Sequence, residues 1–300
     1  MKETRALDLR RAETVGWRTL ADYAALTKPR LNVLVVATSA AGYYLGATGP
    51  LNLAVMAAAV AGTAFVAGGA AALNQFCERE TDALMRRTRS RPLPDGRIAP
   101  ADARIFGLAL STAGLVLLAA LAGWLAALLA LATLTIYVAV YTPLKRRSPI
   151  ATLVGAVPGA LPPLIGWAAS RGDVSVGGLA LFLIVFLWQI PHFMAIAWMY
   201  RDDYRLAGFP MLPVIDADGR RTGREAVAYA AALLPASLLP TVAGVSGNVY
   251  AAIAAALGAG LLVAALKFGA TRSDIAARRL FFGSLVYLPL LWIAMIADKL

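Results

Sequence analysis

The sequence predicts an all-α, polytopic membrane protein, and three observations predict it. Of the 300 residues, 60% are hydrophobic and only 15% are charged, more apolar surface than a soluble domain of this length needs. The apolar residues gather into nine runs, near 30–48, 52–76, 103–121, 124–142, 150–169, 177–199, 226–244, 248–267 and 280–297. The basic residues are split with the same regularity. The arm through Arg30 holds seven, 79–104 seven, 145–147 three, 201–224 five and 267–279 four, together 26 of the 28 Lys and Arg. Arg171 and Lys299 lie on the opposite side. The positive-inside rule then puts the arm and every long loop in the cytoplasm and the C-terminus outside. An odd number of spans requires the same arrangement.

Residues 1–29 carry Lys and Arg together with Glu3, Asp8, Glu13 and Asp22, and have no apolar centre. That pattern is neither a secretory leader nor an acid-poor transit peptide, and it fits a cytoplasmic arm ahead of a single nine-helix domain over 30–300. Lys28-Pro29-Arg30 opens the first span, where Pro is well placed and either base can point into a cavity. Ile105 to Leu144 is uncharged for 40 residues, enough for two spans, with Gly123 as the turn. Pro158, Pro162 and Pro163 interrupt the fifth span, which is tolerated where backbone is buried in protein or lines a cavity. Gly42-x-x-x-Gly46 and Gly155-x-x-x-Gly159 are candidate helix-contact faces. No short repeat is present, although acid-bearing loops follow both the second and the sixth spans. The net charge of +11 sits between apolar spans, which suits topology and anionic ligands rather than nucleic acid. Cys77 and His192 are each the only residue of their kind, so an internal disulfide and a multi-histidine metal site are both excluded.

Chemistry enters where the uncharged run Leu31–Cys77 ends. Asn74, Glu78 and Asp82 are four apart, so on a helix each advances only about 40° from the last and all three share one face. One amide oxygen and two carboxylates suit Mg²⁺, a hard ion that keeps phosphate oxygens among its ligands. Arg86, Arg87, Arg89 and Arg91 follow and can neutralise a diphosphate. The plainer alternative is a helix that becomes polar as it reaches water. A second cluster, Tyr200-Arg201-Asp202-Asp203-Tyr204-Arg205, offers Asp202 and Asp203 to a second metal and Arg201 or Arg205 to phosphate, or else forms a solvated helix end. Lys145, Arg146 and Arg147 either bind phosphate or only set topology. His192 lies about two turns inside the sixth span, with Gln189 one turn away and Pro191 beside it. An ionisable group at that depth faces the protein interior by default.

From Thr27-Lys-Pro-Arg30 to the last span, the chain resembles the haem O synthase branch of the UbiA-type intramembrane prenyltransferases. The matching stretches are Asn74 to Asp82, Arg91-Pro-Leu-Pro94, Tyr141-Thr-Pro-Leu-Lys-Arg146, Gly159 to Trp167, Pro191-His-Phe193 and Tyr200 through Pro213. The resemblance implies nine helices around a central cavity, capped by the second–third and sixth–seventh loops. It also implies farnesyl transfer from farnesyl diphosphate to a vinyl group of haem B, with addition of water, in the bacterial inner membrane. Haem A synthase, which uses the product, is a candidate partner. The expected site has Asn74, Glu78, Asp82, Tyr200 and Asp203 in catalysis, with Mg²⁺ on Asn74, Glu78, Asp82, Asp202 and Asp203. Arg86, Arg87, Arg91, Lys145, Arg146 and Arg201 are expected at the diphosphate, and Gln189, His192 and Tyr204 at haem.

The chain departs from the superfamily pattern in two places. Glu78 stands where many members have Asp, which keeps the carboxylate. Tyr200 and Tyr204 occupy the places of two aspartates in prenyltransferases of phenolic acceptors, which leaves the second metal's ligands open. Two rival functions are a haem-binding or haem-transporting protein without chemistry, and a prenyltransferase of phenolic or quinone precursors. The first leaves the Asn74–Glu78–Asp82 line unexplained; His192 and the tyrosine-bearing motif argue against the second.

Overall fold

The computed structural model describes residues 19–300; most of the arm expected over 1–29 lies outside them, and its described end is helical over 19–26. The long helices are α1 (Pro29–Gly46), α2 (Leu53–Leu84), α3 (Pro100–Ala122), α4 (Trp124–Leu144) and α5 (Ala151–Arg171). They continue with α6 (Val176–Met199), α7 (Arg220–Ala236), α8 (Asn248–Thr271) and α9 (Asp274–Ala297). Among the described residues eight helices are long and apolar enough to cross a membrane, α2 to α9, with α7 taken together with the short helix Leu239–Val242. The ninth long helix, α1, has 18 residues with Pro29, Arg30 and Asn32 in its first turn, and runs from Lys28, beside Asn74, to Ala47, whose carbonyl accepts from Lys299 Nζ at 2.8 Å. It packs against α5 and α2. The chain is a multi-pass membrane protein.

Local sequence sets the ends of these helices. Asn52 caps α2 by accepting from the Val55 N–H at 3.1 Å, and Ser273 caps α9 by accepting from the Ala276 N–H at 3.2 Å. Gly123 makes the turn between α3 and α4 at a φ of 102°, a conformation open to glycine. Two boundaries differ from the sequence reading. α2 runs on to Leu84, well past the end of its apolar run, and so carries its polar motif within a continuous helix. α5 runs unbroken through Pro158, Pro162 and Pro163. The prolines remove N–H donors, and α1 lies directly against the stretch they weaken. A Cβ on Gly42 would overlap the Pro163 carbonyl, and one on Gly166 would overlap the Ser39 carbonyl.

In lipid, helices gain little from hydrophobicity against one another and associate through close packing of small residues. The interior accordingly contains fully buried alanines on several helices, among them Ala156, Ala160, Ala195, Ala230, Ala254 and Ala277. α5 and α6 are the most enclosed spans. α2 packs on α3, α1 on α5, α6 on α5, α7 and α9, and α8 on α7 and α9. Because consecutive helices alternate in direction, the loops after α2, α4, α6 and α8 share one end of the bundle, here called the rim. The rim is tied together by Arg97 to Asp22 (3.0 Å), Lys145 to Glu78 (3.2 Å) and Arg201 to Asp274 (2.8 Å).

Candidate active site

Where α2 reaches the rim, Asn74, Glu78 and Asp82 lie on one buried face, as their four-residue spacing predicts. Each meets a base from a different element. Lys28 Nζ donates to Asn74 Oδ1 at 3.0 Å, while the Asn74 amide donates to Thr142 Oγ1 at 3.2 Å. Lys145 Nζ donates to both Glu78 oxygens at 3.2 Å. Arg91 Nη1 donates to Asp82 Oδ2 at 2.6 Å. The other Asp82 oxygen, Oδ1, is buried without a hydrogen-bond partner among the described residues. A carboxylate oxygen in that position fits a cation.

Electrostatics follow from this crowding. Burial, and then the neighbouring Arg91, push the Lys28 ammonium down to about 7. Burial works against the Lys145 charge too, but Glu78, helped by Tyr204 and Tyr137, outweighs it and raises the group above its usual range. Lys28 also holds a left-handed backbone conformation, φ 49° and ψ 56°, which side chains other than glycine rarely adopt. Such strain is retained where surrounding structure needs the side chain in place. Here that place is the bond to Asn74.

Below the ion pairs, the last turns of α4 form a π-helical stretch, Ile136–Tyr141. It stacks Tyr137 on Tyr141 with ring centroids 5.3 Å apart. Gly155 of α5 makes room, since a Cβ there would touch the Tyr141 ring. Tyr137 and Tyr141, like Lys28, are partly buried, and the Lys145 side chain is 11% exposed.

The second motif has a different geometry. α6 ends at Tyr200, and a six-residue helix, Arg201–Leu206, turns away from it. Tyr204 is buried and accepts from Arg87 Nη2 at 3.3 Å, and the Arg87 guanidinium lies 5.1 Å from the Tyr200 ring centre. Arg87 thus bridges the loops after α2 and α6. Met85 joins it, packing with Ala197, Tyr204, Phe209 and Met211, and Lys145 sits 4.5 Å over the Phe209 ring. An open cleft of about 550 Å³ is lined by Arg86, Arg87, Met199, Tyr200, Asp202 and Asp203.

Several expected residues are placed elsewhere. Asp202 points to solvent and pairs with Arg205 at 2.7 Å. Arg201, expected at the diphosphate, bonds Asp274 at 2.8 Å and the Trp198 carbonyl at 2.7 Å, because the turn after Tyr200 aims it at the start of α9. Among the described residues Arg146 hydrogen-bonds only Thr81 Oγ1, at 3.4 Å. Among the described residues no three of His, Cys, Asp and Glu converge on one point, so Asp202 and Asp203 do not complete a carboxylate cluster with Glu78 and Asp82. Gln189, expected beside His192, spends its amide protons on the Ala156 and Val185 carbonyls, both at 3.1 Å, and braces α5. His192 turns the other way, to α9. Its Nδ1 is 2.8 Å from Ser284 Oγ, and its ring stacks on Trp188 and Phe281 with centroids 4.9 and 5.0 Å away. Sequence reasoning missed Tyr137, Thr142 and Phe209 as site residues. Only the four-residue spacing of Tyr137, Tyr141 and Lys145 could have pointed to the first.

Comparison with known proteins agrees with this geometry. The UbiA prenyltransferase family model matches residues 35–287. A protein named protoheme IX farnesyltransferase, from Opitutus terrae, is 48% identical over 93% of this chain and 95% of its own length. Among solved structures, a digeranylgeranylglyceryl phosphate synthase has the same fold, with a TM-score of 0.80 at 18% identity over 94% of this chain and 98% of that one. A UbiA homologue from Archaeoglobus fulgidus, solved bound to GPP and Mg²⁺, gives a TM-score of 0.67 at 17% identity over 92% of this chain and 99% of that one. By sequence and by fold, this chain belongs to the UbiA prenyltransferase family.

Proposed function

We propose that the chain transfers a farnesyl group from farnesyl diphosphate to a vinyl group of protohaem (haem B), with addition of water, giving haem O and diphosphate. The observation that carries this reading is the buried Asn74–Glu78–Asp82 line with a base on each member, set over a stacked tyrosine pair. The high identity to a protein named for that activity supplies the acceptor.

Lys28, Lys145 and Arg91 provide positive charge for a leaving diphosphate, and Asn74, Glu78 and Asp82 respectively keep those bases ordered when it is absent. Asn74, Glu78 and Asp82, with the unpartnered Oδ1, are the residues that would hold Mg²⁺. With so few protein carboxylates the ion fits best together with diphosphate oxygens, as the hard-ion preference expects. When bound, it supplies Lewis-acid stabilisation of the departing diphosphate. The electrons of the allylic C–O bond leave with that diphosphate. Tyr137 and Tyr141 present aromatic faces to the allylic cation. The vinyl π electrons form the new C–C bond, and water captures the resulting cation and gives its proton to diphosphate or solvent. His192 meets the haem. Arg87, held between Tyr200 and Tyr204, joins the loops after α2 and α6 beside the rim cleft.

In this reading the rim faces the cytoplasm of a bacterial inner membrane, following the 26-to-2 division of basic residues. In a Cys77→Ser background, a cysteine at Thr48 is expected to react with an impermeant reagent from outside and one at Arg89 is not; the reverse pattern would overturn the orientation. The activity is tested with membranes given labelled farnesyl diphosphate and protohaem. The expected product is a farnesylated haem formed only when both are present. Haem binding without product would indicate a carrier, and labelling of a quinone precursor in place of haem would indicate a different acceptor.

A further inference from the structure

His192 is the only histidine in the chain, and its contacts determine which of its nitrogens carries the proton. Its Nδ1 lies 2.8 Å from Ser284 Oγ. The Ser284 hydroxyl has one proton, and it donates that proton to the Phe281 carbonyl at 2.6 Å on its own helix. Toward His192 the hydroxyl is therefore an acceptor, and Nδ1 carries the imidazole hydrogen. The seam around this bond is fixed. The Trp188 indole N–H donates to the Ser284 carbonyl at 2.8 Å, so α6 and α9 are joined one turn from His192. Ser284 is fully buried, which denies Nδ1 a competing water. The opposite nitrogen, Nε2, has no hydrogen-bond partner among the described residues. Nor is it sealed in, since the buried unpartnered side-chain atoms are Asp82 Oδ1, Thr152 Oγ1 and the Trp292 indole nitrogen.

We propose that Ser284 is a positioning residue for the haem substrate: it holds His192 in the Nδ1–H tautomer and so presents the Nε2 lone pair to the haem iron. A histidine that ligates a metal commonly gives its other N–H to a fixed acceptor, which sets both ring orientation and ligand basicity. Here the acceptor is a serine already committed as a donor elsewhere, a combination that excludes the other tautomer. The inference rests on the reading that His192 meets the haem, and it adds the group that makes the meeting productive.

The lone histidine makes the test direct. Protein labelled with ¹⁵N-histidine and reconstituted in lipid gives signals from one imidazole, whose shifts report the tautomer before any haem is added. Nδ1–H is expected in the wild type, and a mixture of tautomers in Ser284→Ala. Protohaem is then titrated into each protein and followed by optical and EPR spectra. The wild type should show a nitrogen ligand, His192→Ala should lose it, and Ser284→Ala should weaken haem binding by about 10-fold. Ser284→Thr, which keeps the hydroxyl, should restore both readouts. Farnesyl diphosphate binding should be unchanged throughout, which separates the effect from misfolding. Nε2–H in the wild type overturns the proposal. So does a Ser284→Ala protein with wild-type haem affinity and spectrum while His192→Ala is impaired. If His192→Ala itself binds haem normally, the underlying reading of His192 fails, and the proposal with it.

Discussion

The two polar motifs at the rim have similar composition and opposite architecture. Asp82, in the first, is 1% exposed and held by Arg91; the Asp202 side chain, in the second, is 77% exposed and paired with Arg205. The cause is helical register. α2 continues through its motif without a break, so residues four apart stay on the face that points into the bundle. α6 stops at Tyr200, and in the short helix beyond it the residues four apart are Tyr200 and Tyr204. Of the aspartates between them, Asp202 is exposed on Arg205 and Asp203 lines the cleft beside Arg86 and Arg87. Side-chain type alone would have assigned both motifs to metal. Register places bases on the carboxylates of the first and sets the tyrosines of the second against Arg87.

That contrast can be broken at its strongest point first. Asp82→Asn keeps the size of the side chain and removes its charge, and should lower turnover by about 10²- to 10³-fold, read as farnesylated haem formed per minute. The Lys145–Glu78 pair comes next. Its side chains are 11% and 3% exposed, so Lys145→Met strands a buried carboxylate and should cost about 3–5 kcal/mol of stability. Combining it with Glu78→Gln should recover most of that stability, read by thermal denaturation, but not the activity. Recovery of both would mean that the pair is structural only.

The second motif should respond more weakly. Arg87→Ala removes the clasp on Tyr200 and Tyr204, and a drop of about 10-fold in kcat/KM is expected, with Arg87→Lys intermediate because a point charge cannot reproduce the guanidinium plane. The smallest effect should come from Asp202→Asn, within about twofold of wild type, since exposed ion pairs contribute about 0–1 kcal/mol. Asp203→Asn should exceed it, because Asp203 lines the cleft beside Arg86 and Arg87. An Asp202→Asn enzyme as damaged as Asp82→Asn would erase the distinction between the motifs.

Much of this was legible in the sequence because membrane crossing leaves a long, one-dimensional trace. The turn at Gly123, the spans from α2 to α9 and the shared face of Asn74, Glu78 and Asp82 all follow from periodicity and hydropathy. Where interactions join distant parts of the chain, the trace disappears. Lys28 and Asn74 are 46 residues apart, Lys145 and Glu78 67, and Arg87 and Tyr204 117, so their pairing depends on how helices pack. Gln189 and His192 show the same limit at short range. The sequence sets them one turn apart, and yet α5 takes one and α9 the other. The destination of Arg201 depended on the turn after Tyr200, which the bare sequence does not reveal.

If the buried α2 line, with its bases, drives prenyl transfer to haem, loss of one of its carboxylates should stop product formation and leave acceptor binding intact. The most direct measurement uses purified protein in liposomes, with labelled farnesyl diphosphate and protohaem, and compares wild type with Asp82→Asn, each with and without a divalent-metal chelator. Farnesylated haem is expected from the wild type alone, abolished by the chelator, while Asp82→Asn still binds protohaem with wild-type affinity. Product from Asp82→Asn at the wild-type rate, or from chelated wild type, would contradict that expectation.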